Sequence, residues 1–126
     1  MPEVEILLGR RVVATPAAIA GASFPPGAGG LRIAFDDVLV IGDGPIELSD
    51  EHAIIEPDSG WCALRVGEDQ ALAFLASHAA WEPPPTRPVL AQGMVAGLPA
   101  KVYLDGPGSM IVVAAPFAAE LEDRLG

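Results

Sequence analysis

Cationic side chains are scarce in this chain: seven Lys and Arg stand against seventeen Asp and Glu, for a formal charge of −10. Binding to phosphates by counterion release needs clustered bases, and Arg10, Arg11, Arg32, Arg65, Arg87, Lys101 and Arg124 are scattered. Nucleic acid is therefore not expected as a partner, and an anionic membrane surface would be repelled, whereas a cationic amine or a basic protein patch would be attracted. Cysteine is nearly absent as well. Cys62 is the only one, which excludes an intrachain disulfide and a cysteine-rich zinc site and makes a cytoplasmic location the expectation. No run of eighteen apolar residues occurs without a charge, Gly or Pro, and the start MPEVEILLGRRVV places acids before a very short apolar run, unlike the basic start and longer apolar segment of a signal peptide. Aromatic residues number only seven, and alanine supplies much of the 51% hydrophobic fraction. Small side chains bury little area each, so stability would draw on tight packing or on a partner that covers apolar surface.

Chemical motifs are equally sparse. Gly42, Asp43 and Gly44 follow a strand-like run, but Pro45 and Ile46 come next and no helix opens, so the dinucleotide fingerprint fails. The cluster from Gly27 to Gly30 has no preceding strand and no lysine; both glycine groups read as turns. His52 follows Asp50 and Glu51 and reads as an exposed turn residue, while His78 suits the C-terminal end of a helix. Cys62 lies in an apolar strand, where it reads as a small core side chain rather than a thiolate. Asp36 with Asp37, and Asp50, Glu51 and Glu56, lack the spaced oxygen ligands of a calcium loop and read as solvated turns. No catalytic residue and no metal ligand is expected.

Against these absences stands one well-patterned stretch, WCALRVGEDQALAFLASH from Trp61 to His78. An apolar strand passes through Gly67 into a helix whose first turn carries Glu68 and Asp69, favourable to the dipole, and whose apolar stripe is Ala71, Leu72, Leu75 and Ala79, widened by Phe74. Before it, short strands are expected at 4–8 and at Val12 and Val13. A brief helical turn follows, capped by Thr15 with Pro16 at its first position. SFPPGAGG must be loop. Strands then fall at 31–34 and 38–41, the latter apolar on both faces, with Asp36 and Asp37 in the turn between them and strand character returning at 53–55. After it, WEPPPTRP cannot be helix or central strand and reads as a stiff extended connector. Trp81, Pro83, Pro84 and Pro85 in that connector are the candidate interface, whereas Trp61 reads as a core anchor. Strands at 89–95, 100–104 and 110–114 follow, with Gly97, Leu98 and Pro99 between the first two. Pro116 opens a last helix with Phe117, Leu121 and Leu125 on one face.

This order predicts one α+β domain over 1–126, with 1–30 a loosely attached N-terminal arm and loop and 31–126 the body. Its mainly antiparallel sheet is covered by two helices, with a ferredoxin-like split βαβ in the C-terminal half.

Val66, Gly67, Asp69, Ala71, Phe74 and Leu75 resemble the strand, glycine and helix segment that recurs in the glycine-cleavage aminomethyltransferase (folate-binding) superfamily. VAGLPAKVYL from Val95 to Leu104 and MIVVAAPFAAELEDRL from Met110 to Leu125, with its pair Phe117 and Ala118, are similar to the C-terminal half of the sarcosine oxidase gamma subunit. Glu82 with its prolines stands where an Asp-Leu pair is common in that family, and Ala115 and Pro116 stand where an arginine is expected. The resemblance covers roughly 61–125. It implies a small non-catalytic subunit, with an assembly or stabilising role in a heteromeric flavin-dependent complex that oxidises sarcosine or a related secondary amine. The larger flavoprotein subunits would be its partners and would hold FAD, FMN or tetrahydrofolate, none being bound by this chain alone. A stand-alone folate-binding or one-carbon transfer domain, and a self-associating structural domain, are the alternative readings.

Overall fold

A computed structural model describes residues 3–26 and 29–125. The chain divides into two compact units, one formed by Leu7–Ser59 and the other by the N-terminal residues to Ile6 together with the chain from Gly60 onward. Both are α+β, rich in strand, and every ladder in both sheets is antiparallel.

The unit Leu7–Ser59 holds strands β2 (Gly9–Val13), β3 (Gly30–Ala34), β4 (Asp37–Ile41) and β5 (Ile54–Asp58), in the order β3-β4-β2-β5. Helix α1 (Pro16–Ala20) begins as its sequence dictates: the Thr15 hydroxyl accepts from the Ala18 amide at 3.2 Å, and Pro16 occupies the first turn, where a missing N–H costs nothing. Val12, Ala14, Ile19, Val38 and Val40 form its apolar cluster. The residues before 31 do not form a loose arm: β2 is an inner strand, paired on one side with β4 and on the other with β5. The strand expected at Val12 and Val13 starts earlier, at Gly9, and each of its faces carries one arginine, Arg10 beside Val12 and Arg11 beside Val13. Asp37 is likewise not a turn residue but the first of β4, because Phe35 and Asp36 alone close the hairpin between Ala34 and Asp37. Of the glycine cluster expected to be a turn, Gly27 lies outside the described residues, as does Ala28.

In the other unit, β1 (Val4–Ile6), β6 (Trp61–Arg65), β7 (Val89–Val95), β8 (Leu98–Leu104) and β9 (Met110–Ala114) form a sheet of order β1-β6-β9-β8-β7. Pairing aligns Val4, Leu64, Ile111, Val102 and Ala91 across one face. On that face Ala71 and Leu75 of α2 (Glu68–His78) and Leu121 and Leu125 of α3 (Ala118–Leu125) join Cys62, Leu64, Val102, Leu104, Ile111 and Val113 in one apolar cluster. Complete burial of each such large side chain stabilises by roughly 1.5–3 kcal/mol, so this cluster holds both helices in place.

Two local differences from the sequence pattern have clear causes. α2 joins β6 to β7, which stand two strands apart and run in opposite directions. A split βαβ would have joined parallel strands flanking a single one. The turn between β7 and β8 is Ala96 and Gly97, at φ of 52° and 78°, so Leu98 and Pro99 belong to the strand. A two-residue loop of this left-handed kind makes Val95 and Leu98 the hydrogen-bonded closing pair and leaves Met94 and Pro99 as the next, unbonded pair. Proline is harmless there because no ladder donor is needed. Ala96 carries the cost of its left-handed backbone with support on both sides: its N–H donates to the His78 carbonyl at 2.8 Å, and its carbonyl accepts from Arg124 Nη1 at 2.6 Å.

Candidate functional site

The strand alternation at the β7–β8 hairpin has a consequence for the connector that follows α2. Met94, in an unbonded pair, turns its carbonyl away from β8, and the Trp81 indole Nε1–H donates to it at 2.9 Å. The ring lies directly over Gly93, where an added Cβ would fall 2.6 Å from Trp81 Cε2. Gly93 is thus the residue that admits the indole to the free edge of β7; a glycine inside an apolar strand was the signal in the sequence. α2 stops just before, with Ala79 already extended at φ −128° and ψ 147°, and three prolines follow one residue after Trp81.

Anchored at Trp81, the connector folds back along one flank of α2. Leu72, Leu75, Ala76, Ala79 and Ala80 on one wall, and Trp81, Glu82, Pro83, Pro84, Pro85 and Arg87 on the other, enclose an open groove of about 830 Å³. The four residues expected at an interface therefore lie together in one concave surface, with a flank of α2 from Leu72 to Ala79 as its second wall. The far end is tied by Arg87. Its Nε donates to Glu68 Oε1 at 2.8 Å, and its Nη1 to the carbonyls of Pro84 at 2.7 Å and Thr86 at 2.8 Å. Glu68 also accepts from the Gly106 amide at 3.3 Å. The Arg87 bond, and after it the Gly106 bond, holds the Glu68 carboxyl below its usual range. Glu68 was expected only to complement the helix dipole; its fastening of the connector to the β8–β9 turn was not visible in sequence, since the residues are far apart along the chain.

Charge in this groove is one-sided. Arg87 is matched by Glu68, whereas Glu82 has no ion pair or hydrogen bond among the described residues. The same accounting extends over the protein. All seven bases have an acceptor within their own unit: Arg10 donates to the Gly44 carbonyl, Arg11 to Asp37 and Asp58, Arg32 to the Phe35 carbonyl, Arg65 to Glu5, Lys101 to Gln92, Arg87 to Glu68, and Arg124 to Glu120 and Ala96. Four of these bases, Arg11, Arg65, Arg87 and Arg124, are matched by carboxylates, while Arg10, Arg32 and Lys101 meet neutral acceptors.

Elsewhere the chemistry-bearing residues are engaged in structure. Asp50 accepts from the backbone N–H of Thr15 at 3.1 Å and of His52 at 2.9 Å, and the Thr15 bond, then the His52 bond, lowers its pKa. His52 and Glu51 stand 3.5 Å apart in open solvent, each side chain 88% exposed. His78 contributes its carbonyl to the hairpin. Cys62 is fully buried, and burial pushes its thiol pKa up, away from reactivity. Trp61 receives the Lys101 ammonium over its ring at 4.5 Å, a cation–π contact rather than simple core packing. Asp36 stays in the hairpin turn, and Glu56 lies exposed on β5. Gly42, at φ 83°, and Asp43 line a shallower hollow with Leu8, Gly9 and Arg10. Among the described residues no three His, Cys, Asp or Glu side chains gather as a metal site would require, and no helix is long and apolar enough to cross a membrane.

No protein-family model matches the chain, and no curated protein and no solved structure matches it.

Proposed function

We propose that this chain is a small, non-catalytic, gamma-like subunit of a cytoplasmic, heteromeric flavin-dependent complex that oxidises sarcosine or a related secondary amine, with an assembly or stabilising role. Its partners are then larger flavoprotein subunits, which hold FAD or FMN and, where the complex uses it, tetrahydrofolate. The observation that carries this reading is the groove: Trp81, Pro83, Pro84 and Pro85 form, with α2, a concave surface of mixed polar and apolar lining held by Arg87 and the Trp81 indole. Such a surface suits contact with a partner better than chemistry, since Glu82 is its one charged side chain without an ion pair. The resemblance of 61–125 to the gamma subunit supplies the kind of partner. The ferredoxin-like arrangement has no part in this proposal, because the strands joined by α2 are opposed in direction.

Purification of the chain under native conditions from its source tests the reading. Co-elution with flavin-bearing oxidoreductase subunits, through ion exchange and then size exclusion, is the expected result. If the chain elutes alone while neighbouring oxidoreductase subunits are present but unbound, the subunit reading is wrong.

A further inference from the structure

The groove beside α2 has a chemistry of its own that narrows what it can receive. Its floor and one wall are aliphatic, with Leu72, Leu75 and Ala76 from α2, and the prolines opposite are apolar too. Its single unmatched charge is Glu82. The C-terminal end of α2 closes the same side, and the last carbonyls of a helix carry partial negative charge. Two independent features therefore place negative potential at one end of an apolar trough, while the positive charge that could cancel it, on Arg87, is held by Glu68.

We propose that this groove is the docking site for a basic segment of a partner protein, in which an aliphatic side chain lies against Leu72, Ala76 and Pro83 and an adjacent Lys or Arg reaches Glu82. The inference rests on the subunit reading and specifies the surface and the partner's chemistry. An acidic segment is disfavoured twice, by Glu82 and by the net charge of −10. A purely apolar segment leaves Glu82 facing it without a partner, a desolvation cost with no return.

The test uses the full chain, labelled with ¹⁵N, and the capped peptide acetyl-Leu-Lys-Leu-amide as probe. Titration is expected to shift the amide resonances of Ala76, Ala79 and Ala80 and the Trp81 indole N–H, saturably. Glu82→Gln, an exposed substitution that leaves the apolar walls intact, is expected to weaken the response by about fivefold, the scale of one exposed ion pair. Three results would overturn the proposal: no shifts at these resonances, equal shifts with acetyl-Leu-Glu-Leu-amide, or an unchanged response in Glu82→Gln. A second variant separates this inference from the reading beneath it. Ala76→Arg places a long cation in the trough and is expected to abolish co-elution with the flavoprotein subunits. Co-elution that persists in Ala76→Arg removes the groove from the interface and leaves the subunit reading standing. A wild-type chain that elutes alone yet binds the lysine peptide through Glu82 does the reverse.

Discussion

The two units of this chain hold their sheets together by different means. In the unit formed by the chain up to Ile6 and from Gly60 onward, both helices lie on one face of the sheet and share a cluster in which Leu121, Leu104, Ile111 and Val113 are completely buried. Its polar bonds act at the rim, fastening the connector, the hairpin turns and the edge strand β1 through Arg87, Arg124 and Arg65. In Leu7–Ser59 the only α-helix among the described residues is α1, five residues long, the cluster around Val12 and Val40 is smaller, and Ile54 and Ile55 on β5 are about half exposed. There the strands are cross-linked by charge. Alternation along the ladders places Arg11, Asp37 and Asp58 on one face, and Arg11 bonds both acids across β2, β4 and β5. A sheet with enough apolar cover can leave ion pairs to its loops, whereas a sparsely covered one uses them inside the ladder.

That contrast breaks first where apolar cover matters most. Leu121→Ala removes a fully buried side chain between α3 and the sheet, and a loss of roughly 2–5 kcal/mol is expected from transfer and cavity terms together. Urea unfolding followed by far-ultraviolet dichroism should show the midpoint falling by the corresponding amount. A loss below about 1 kcal/mol would mean that α3 is not held by this cluster, and the comparison between the units would collapse.

Next in size is Arg11→Ala. The guanidinium and its two acids are 29%, 21% and 19% exposed, between a surface pair worth under ~1 kcal/mol and a buried one whose rupture costs ~3–5 kcal/mol. An effect of about 2 kcal/mol is expected, because Asp37 and Asp58 are left facing each other. Faster amide exchange in β2, β4 and β5 would locate the damage in the ladder. Arg11→Lys should recover part of the loss but not all, since one ammonium cannot donate in the forked geometry that serves both acids. Unchanged exchange in those strands would show that the charge does not hold this sheet.

What was legible in the sequence follows the same division. Where apolar periodicity governs, the chain announced itself: β7 and β9 lie at the expected 89–95 and 110–114, α2 begins right after Gly67, and Thr15 with Pro16 opens α1. Where two charges stand side by side, only part of the strand was legible: strand was expected at Val12 and Val13, but Arg10 and Arg11 masked the start of β2 at Gly9, because their partners, the Gly44 carbonyl for Arg10 and Asp37 and Asp58 for Arg11, arrive from elsewhere in the chain. At the candidate site, Trp81 and the prolines were visible as a connector unable to be helix or strand. The second wall was not, for no local pattern says that a connector will fold back on its own helix. Gly93 and Arg87 were the clues, and each has meaning only once its distant partner, Trp81 or Glu68, is placed beside it. The split βαβ failed for a related reason: strand, helix and strand were read correctly in order, but the direction and position of β7 are set by its hairpin with β8, not by α2.

The smallest effect is also the most specific to the groove. Glu68 receives the Arg87 guanidinium first and the Gly106 N–H second, and both favour the ionised carboxylate, so its folded pKa lies below the ordinary 4.5. A carboxylate with a depressed folded pKa stabilises the fold above its unfolded value, and that contribution disappears as the pH falls through the folded one. The tie between connector and β8–β9 turn should therefore loosen progressively in acid, with a midpoint below 4.5. The Gly106 amide is the reporter: its chemical shift should titrate with a midpoint under 4.5, Arg87→Met should move that midpoint upward, and Glu68→Gln should erase the transition. A midpoint at or above 4.5 would mean that Arg87 does not hold the connector through Glu68. Its positive charge would then stand free in the groove to offset Glu82, and the preference for a basic partner would lose its electrostatic basis.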